Sequence, residues 1–280
     1  MRFSFTKMQG LGNDFMVLDL VTNEINLNRE QIRQLADRRY GVGFDQLLQI
    51  KPPSKPGVDF DYRIFNADGT EVEHCGNGAR CFAQFVVEKG LTQKNPITVK
   101  TVNRVLQIIR EEDGQVTVNM AEPAFSPAAI PFFSDEQKAT YSRVIQVNDE
   151  ELEIEFSALS VGNPHAVIVV EDVTAADVCN VGVALGKHPD FPEGVNVGFM
   201  QVLDRSSIKL RVYERGAEET LACGTGACAA VVAGCLRGLL DDTVTVELLG
   251  GKLNISWQQG SSPVFMTGPV STVYEGTIQL

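Results

Sequence analysis

The sequence predicts an α/β (α+β) chain of two pseudo-symmetric halves, each a mostly antiparallel sheet wrapped around one buried helix. Three observations predict it. A 17-residue segment is written twice, as RIFNADGTEVEHCGNGA at 63–79 and RVYERGAEETLACGTGA at 211–227. The offset is 148 without a gap, and six positions are identical, among them Cys75/Cys223, Gly76/Gly224 and Gly78/Gly226. Each copy then runs into a helix-length stretch that is apolar on nearly every side, which a soluble chain buries only by surrounding it. Most of the remainder reads as β-branched or alternating runs closed by turn residues.

The echo extends beyond the segment. Gly12-Asn13 returns as Gly162-Asn163 at an offset of 150, and Gln46 returns as the amide Asn196. Gly90 and Gly238 each stand 15 residues after their cysteine, where a left-handed glycine closes a helix. Coincidence between two glycine-bearing turns does not account for agreement in polar positions, cysteines and helix ends together.

In chain order, an amphipathic helix is expected near 29–39, ending before Gly41, with its repeat partner near 174–187. Pro52 to Gly57 reads as a surface loop. Strands are expected at 61–65, 97–109, 115–120, 152–156, 166–170, 208–213 and 243–248, with a hairpin turn at Asp113-Gly114. The Pro-rich run from Glu122 to Pro131 reads as a linker. The first half is expected to comprise 1–121 and a returning C-terminal strand, 269–280. The second comprises 122–268, with the active site in the cleft between them.

Bulk properties narrow the function. A net charge of −12 offers no basic patch for nucleic acid. No apolar run approaches the ~20 residues that a bilayer requires, and the first residues lack the core of a secretion signal. A cytoplasmic chain with no membrane partner is the expectation. The six cysteines include no CxxC pair, so a metal site is not expected.

Cys75 and Cys223 stand out because each enters a buried helix through glycines. Free N–H groups at a helix start attract anions, so a substrate carboxylate fits near Gly76-Asn77 and Gly224-Thr225. The same field favours thiolate, and two thiols at one small site titrate as a pair, one charged and one protonated. Such a pair removes hydrogen from one face of an amino-acid α-carbon and returns it to the other. Cys81, Cys179, Cys228 and Cys235 have no matched partner and are read as structural. Arg63 and Arg211 are assigned to strand structure, and Asp68 and Glu71 to turn or cap.

These motifs resemble the diaminopimelate epimerase family: FTKMQGLGNDF at 5–15, FNADGTEVEHCGNGARC at 65–81, VGNPH at 161–165, VNVGFMQ at 195–201 and YERGAEETLACGTGAC at 213–228. The resemblance covers essentially the whole chain. It implies interconversion of LL- and meso-2,6-diaminoheptanedioate in lysine and cell-wall biosynthesis, without pyridoxal phosphate, other cofactor or metal, by a homodimer. It implies Cys75 and Cys223 as the acid/base residues, and Gly76, Asn77, Gly224 and Thr225 as holders of the reacting carboxylate. Asn13, Gln46, Asn66, Asn163, Asn196, Glu214 and Arg215 would bind the rest of the substrate, Arg215 facing a distal carboxylate and Glu214 an ammonium. His165 and Glu214 would tune the thiols, and Tyr274 would lie at the dimer contact. His74, directly before Cys75, is less typical of the family.

Two other readings compete. A proline or hydroxyproline racemase shares the two-thiol design, yet a cyclic imino acid leaves Arg215 and the amides idle. A thiol redox sensor would instead join Cys75 and Cys223 in a reversible disulfide.

Overall fold

The computed structural model describes residues 2–72 and 75–280, so the reading of His74 lies outside the described residues. The chain divides into two compact units, 1–119 with 267–280, and 120–266. The first unit contains β1 (Arg2–Gly10), β2 (Asn13–Asp19), α1 (Arg29–Ala36), β3 (Gln46–Lys51), β4 (Phe60–Asn66), β5 (Glu71–Val72), α2 (Gly76–Glu88), β6 (Ile97–Lys100), β7 (Val105–Arg110) and β8 (Val116–Asn119). The second contains β9 (Tyr141–Val147), β10 (Glu150–Ser160), β11 (Pro164–Val169), α3 (Val178–Gly186), β12 (Asn196–Asp204), β13 (Ser207–Glu214), β14 (Glu218–Thr220), α4 (Gly224–Leu236), β15 (Thr243–Leu248) and β16 (Gly251–Ser256). The chain returns through β17 (Phe265–Gly268) to β18 (Ser271–Gln279), which pairs antiparallel with β1.

The duplication seen in the sequence is a duplication of topology. In the first unit, β1–β2 is antiparallel, β2–β3 parallel, β3–β4 and β4–β5 antiparallel, β4–β6 parallel and β6–β7 antiparallel. In the second, the steps β10–β11, β11–β12, β12–β13, β13–β14, β13–β15 and β15–β16 repeat that series of directions. Both parallel steps need a crossover, and in each unit the two helices supply them.

Helix α2 is buried from Gly76 to Ala83, and α4 from Gly226 to Cys235. Phe82 packs edge-on to Phe60 with ring centroids 5.7 Å apart and against Tyr62 at 5.4 Å. Burying such a side chain contributes about 1.5–3 kcal/mol. Both helices end alike. Gly90 (φ 67°) and Gly238 (φ 70°) take left-handed backbone. Gly90 N–H donates to Val87 O and Leu91 N–H to Val86 O, while Gly238 donates to Cys235 O and Leu239 to Gly234 O. That double bond pattern satisfies carbonyls the helix leaves open.

Three expectations need correction. The run 97–109 is two strands, because Thr101 N–H donates to Arg104 O and turns the chain. Helix α1 stops at Ala36, since the Asp37 carboxylate takes the N–H groups of Arg39 and Tyr40. The Pro-rich run is packed structure rather than a linker: Ala124 and Ser160 exchange backbone bonds, and Ile130 is fully buried in the second core. The hairpin at Asp113-Gly114 is present between β7 and β8, and β15 occupies the predicted residues. Among the described residues, no helix is long and apolar enough to cross a membrane.

Candidate active site

Each repeated cysteine is the residue that caps its buried helix, Cys75 before α2 and Cys223 before α4. Both have extended backbone there, at φ −145° and −112°. Gly78 lets α2 start against the sheet, since a Cβ at that position would lie 2.7 Å from Tyr62 Oη. Tyr62 is wholly buried. Burial, with the charges of Cys75 and Cys81 adding to it, pushes its phenol pKa well up. It therefore stays a neutral donor, bonding Cys75 O at 3.3 Å.

Around Cys75, Sγ receives the Gly78 N–H at 3.4 Å and lies 3.7 Å from Asn13 Oδ1. Asn77 Nδ2 donates to that same Oδ1 at 3.4 Å. Gln46 Nε2 donates to Asn66 Oδ1 at 3.0 Å, and Gln46 Oε1 is a buried acceptor with no hydrogen-bond partner. Asn13, Asn77 and Cys75 are thus gathered in one group. Gln46 and Asn66 form a second pair, at the facing ends of β3 and β4.

Around Cys223 the arrangement differs. Its Sγ donates to Glu214 Oε2 at 3.1 Å, and Thr220 Oγ1 donates to Glu214 Oε1 at 2.5 Å. Thr225 Oγ1 lies 3.6 Å from the sulfur. Burial first, then the Glu214 carboxylate, pushes the Cys223 thiol well above its usual range. Glu214 therefore touches the thiol directly.

His165 does not match its expected role as directly. Its Nε2 lies 3.0 Å from Asn163 Oδ1, an acceptor only, so Nε2 carries the proton. The ring positions Asn163 rather than bonding Cys223. Asn196 is also committed to scaffold: Nδ2 donates to Pro164 O at 3.2 Å, and Oδ1 accepts the Arg215 N–H at 2.8 Å. It staples the start of β11 to the end of β13. Arg215 is exposed, with one guanidinium nitrogen on Glu193 O at 2.6 Å. Tyr274 stands 46% exposed on β18, edge-on to Phe5.

His165 gives a pH prediction. Complete burial, reinforced by the Arg215 charge, lowers its pKa to about 3, against ~6.5 when unfolded. The unfolded chain therefore binds the proton first, and stability is lost as pH falls from about 6.5 towards 3. At about pH 5 this one group costs about 2 kcal/mol. Thermal melts of His165→Gln should show a smaller drop between about pH 7 and pH 5 than the parent chain. Equal drops would show that the ring is not held neutral.

Other assignments follow the repeat. Arg63 forks onto Glu71 at 2.6 and 2.7 Å, and Arg211 onto Glu219 at 2.6 and 2.9 Å. These are paired strand braces. Glu71 is accordingly a brace rather than a cap, and Asp68 shapes the turn by accepting the Thr70 N–H. Cys81, Cys228 and Cys235 are buried, and Cys179 is exposed.

Sequence reasoning missed a charged network beside Asn13. Lys7 and Arg38 both bond Asp14. Partial burial works to raise the Asp14 pKa, but these cations hold it well below the usual carboxylate range. It also missed Arg80, fully buried in α2. A charge inside an otherwise apolar helix was the available signal.

The family model for diaminopimelate epimerase matches residues 5–126 and 157–273. A diaminopimelate epimerase from Nitrosomonas europaea is 55% identical over 280 residues, covering 100% of both chains. Among solved structures, a hydroxyproline epimerase from Agrobacterium vitis, bound to trans-4-hydroxy-L-proline, aligns with TM-score 0.72 at 15% identity. That alignment covers 99% of this chain and 92% of the other. A phenazine biosynthesis protein of the PhzF family from Bacillus anthracis aligns with TM-score 0.68 at 15% identity over 100% of both. These two likenesses show a shared fold.

Proposed function

We propose that Cys75 and Cys223 are the acid/base pair of this chain, which belongs to the diaminopimelate epimerase family. It is an isomerase, and its activity is diaminopimelate epimerisation. The proposal concerns how its residues do this. One sulfur takes the α-proton of the LL-substrate and the other returns a proton to the opposite face, giving the meso form. The two thiols supply both transfers, so the reading calls on no cofactor. The carbanion's charge spreads onto the α-carboxylate, where N–H groups at Gly76-Asn77 and Gly224-Thr225 stabilise it.

The observation that carries this reading is the unlike surroundings of two like cysteines. Cys223 gives its proton to a carboxylate hydrogen bond, which suits the resting acid. Cys75 has a helix N–H for its thiolate and the Asn13 oxygen for its thiol. A sulfur that alternates between both states needs both partners. The unpartnered Gln46 oxygen accepts from a substrate ammonium, together with Asn66 and Asn163, while Asn196 supports the site by holding Pro164 and Arg215 in place. Glu214 answers the ammonium and Arg215 the distal carboxylate. One thiol comes from residues 1–121 and 269–280, the other from 122–268. The working form is a cytoplasmic homodimer with Tyr274 in its contact, serving lysine and peptidoglycan synthesis.

Incubation in D₂O tests the assignment of substrate. The fully reduced enzyme should replace the α-proton of LL-diaminopimelate with deuterium as it epimerises, and leave proline and hydroxyproline protonated. Exchange on the cyclic imino acids would instead support a racemase of the same fold. Absence of turnover in reduced protein would support redox sensing.

A further inference from the structure

The two cysteines are matched by the repeat, but the side chains behind them are not. Asn13 is bonded at both ends of its amide. Its Nδ2 donates to Asp45 Oδ2 at 3.0 Å, and its Oδ1 accepts from Asn77 Nδ2 at 3.4 Å. The Asn77 amide is fixed in turn, because its Oδ1 accepts from Arg80 Nη2 at 3.0 Å. A carboxylate only accepts and a guanidinium only donates. The series Asp45–Asn13–Asn77–Arg80 therefore has one polarity, and neither amide can turn over without placing two like atoms together.

Both charged ends are themselves anchored. Arg38 Nη2 donates to Asp45 Oδ1 at 2.7 Å, and the Asp14 N–H donates to Asp45 Oδ2 at 3.1 Å. Arg80 is 0% exposed, and its Nε donates to Pro269 O at 3.2 Å. A buried guanidinium is expensive unless its geometry is used.

We propose that Asp45 and Arg80 are positioning residues: from opposite ends they fix the Asn13 and Asn77 amides, so that Asn13 presents its oxygen to Cys75 Sγ. This rests on the reading of Cys75 as an acid/base group. Its consequence is that the sulfur meets an acceptor once it has taken the substrate's proton. A reversed Asn13 would offer a donor there and favour the thiolate alone.

The repeat shows that the device belongs to one half. At the matching places the second half carries Val195 for Asp45 and Cys228 for Arg80, both buried. There Asn163 is held by His165 and Cys223 by Glu214. The halves thus share backbone topology and differ in the charges behind their thiols.

A double-mutant cycle on the full chain tests the proposal, read as kcat and KM for LL-diaminopimelate. Asp45 is 44% exposed and Asp45→Asn keeps its shape, so this variant should melt close to the parent. It should lose about tenfold in kcat/KM, mostly in kcat, as one charge-assisted orienting bond is removed. In an Asn13→Ala background the same change should cost less than about twofold, because nothing is left to orient. Arg80→Lys, which keeps a buried donor, gives a second arm and should also be silent on top of Asn13→Ala. An Asp45→Asn enzyme within about twofold of the parent, or an equal loss in both backgrounds, overturns the proposal. A full-rate Cys75→Ala enzyme would remove the premise as well. An inactive one with an additive cycle removes the positioning role alone.

Discussion

Alanine at Cys75 or at Cys223 is expected to lower epimerisation by about a thousandfold or more, within the ~10²–10⁴ that one proton-transfer group supplies. The two variants should nevertheless differ. Cys75 Sγ receives the Gly78 N–H and so caps its helix, whereas the Cys223 side chain makes no such cap bond. Loss of a cap costs about 0.5–2 kcal/mol, so Cys75→Ala should melt lower than Cys223→Ala. Their exchange behaviour should differ too. With one sulfur removed, the other can still withdraw the α-proton on its own face and return a solvent proton there. Each variant should then exchange deuterium into one epimer only, without inverting it. Nuclear magnetic resonance of the two epimers in D₂O reads both effects. Parent-like inversion by either variant would sink the acid/base assignment.

The fold was legible because duplication multiplies weak signals. Cys75 and Cys223, Gly90 and Gly238, and Arg63 and Arg211 each gain meaning from a twin. The twins proved to be residues at helix starts, helix closers and strand braces. Local pattern did less well where side chains override it. Thr101 to Arg104 lies inside a β-like run but folds back on itself, and Asp37 ends α1 three residues before the predicted boundary. In the site, residue type pointed to Asn196 but not to its task. An amide can hold a ligand or a backbone, and only coordinates show Pro164 and Arg215 in its grasp. Asp45 and Arg80 escaped notice for another reason. Neither belongs to a matched pair, so a search for symmetry passes over the residues that break it.

Glutamine in place of Glu214 is expected to lower kcat/KM about a hundredfold, the larger part of the range for losing a hydrogen bond to a charged group. Two losses combine. The substrate ammonium loses its counter-charge, and Cys223 loses the carboxylate to which it donates at 3.1 Å. Shape is nearly conserved, and Thr220 Oγ1 can still donate to the remaining amide oxygen, so the fold should survive. The pH dependence separates the two losses. In the parent, burial and then the Glu214 charge raise the Cys223 pKa, which keeps this thiol protonated far into the alkaline range. Removing the charge leaves burial to raise it, against the lowering hydrogen bonds from Thr225 and the Gly226 N–H, so the pKa falls. Activity in the direction that uses Cys223 as acid requires the protonated form, and its alkaline limb must therefore move to lower pH. The acidic limb carries no such requirement from Cys223. A profile of kcat in both directions measures the shift. An alkaline limb that stays in place while KM rises would confine Glu214 to holding the ammonium, and Cys223 would then owe its proton to burial rather than to its neighbour.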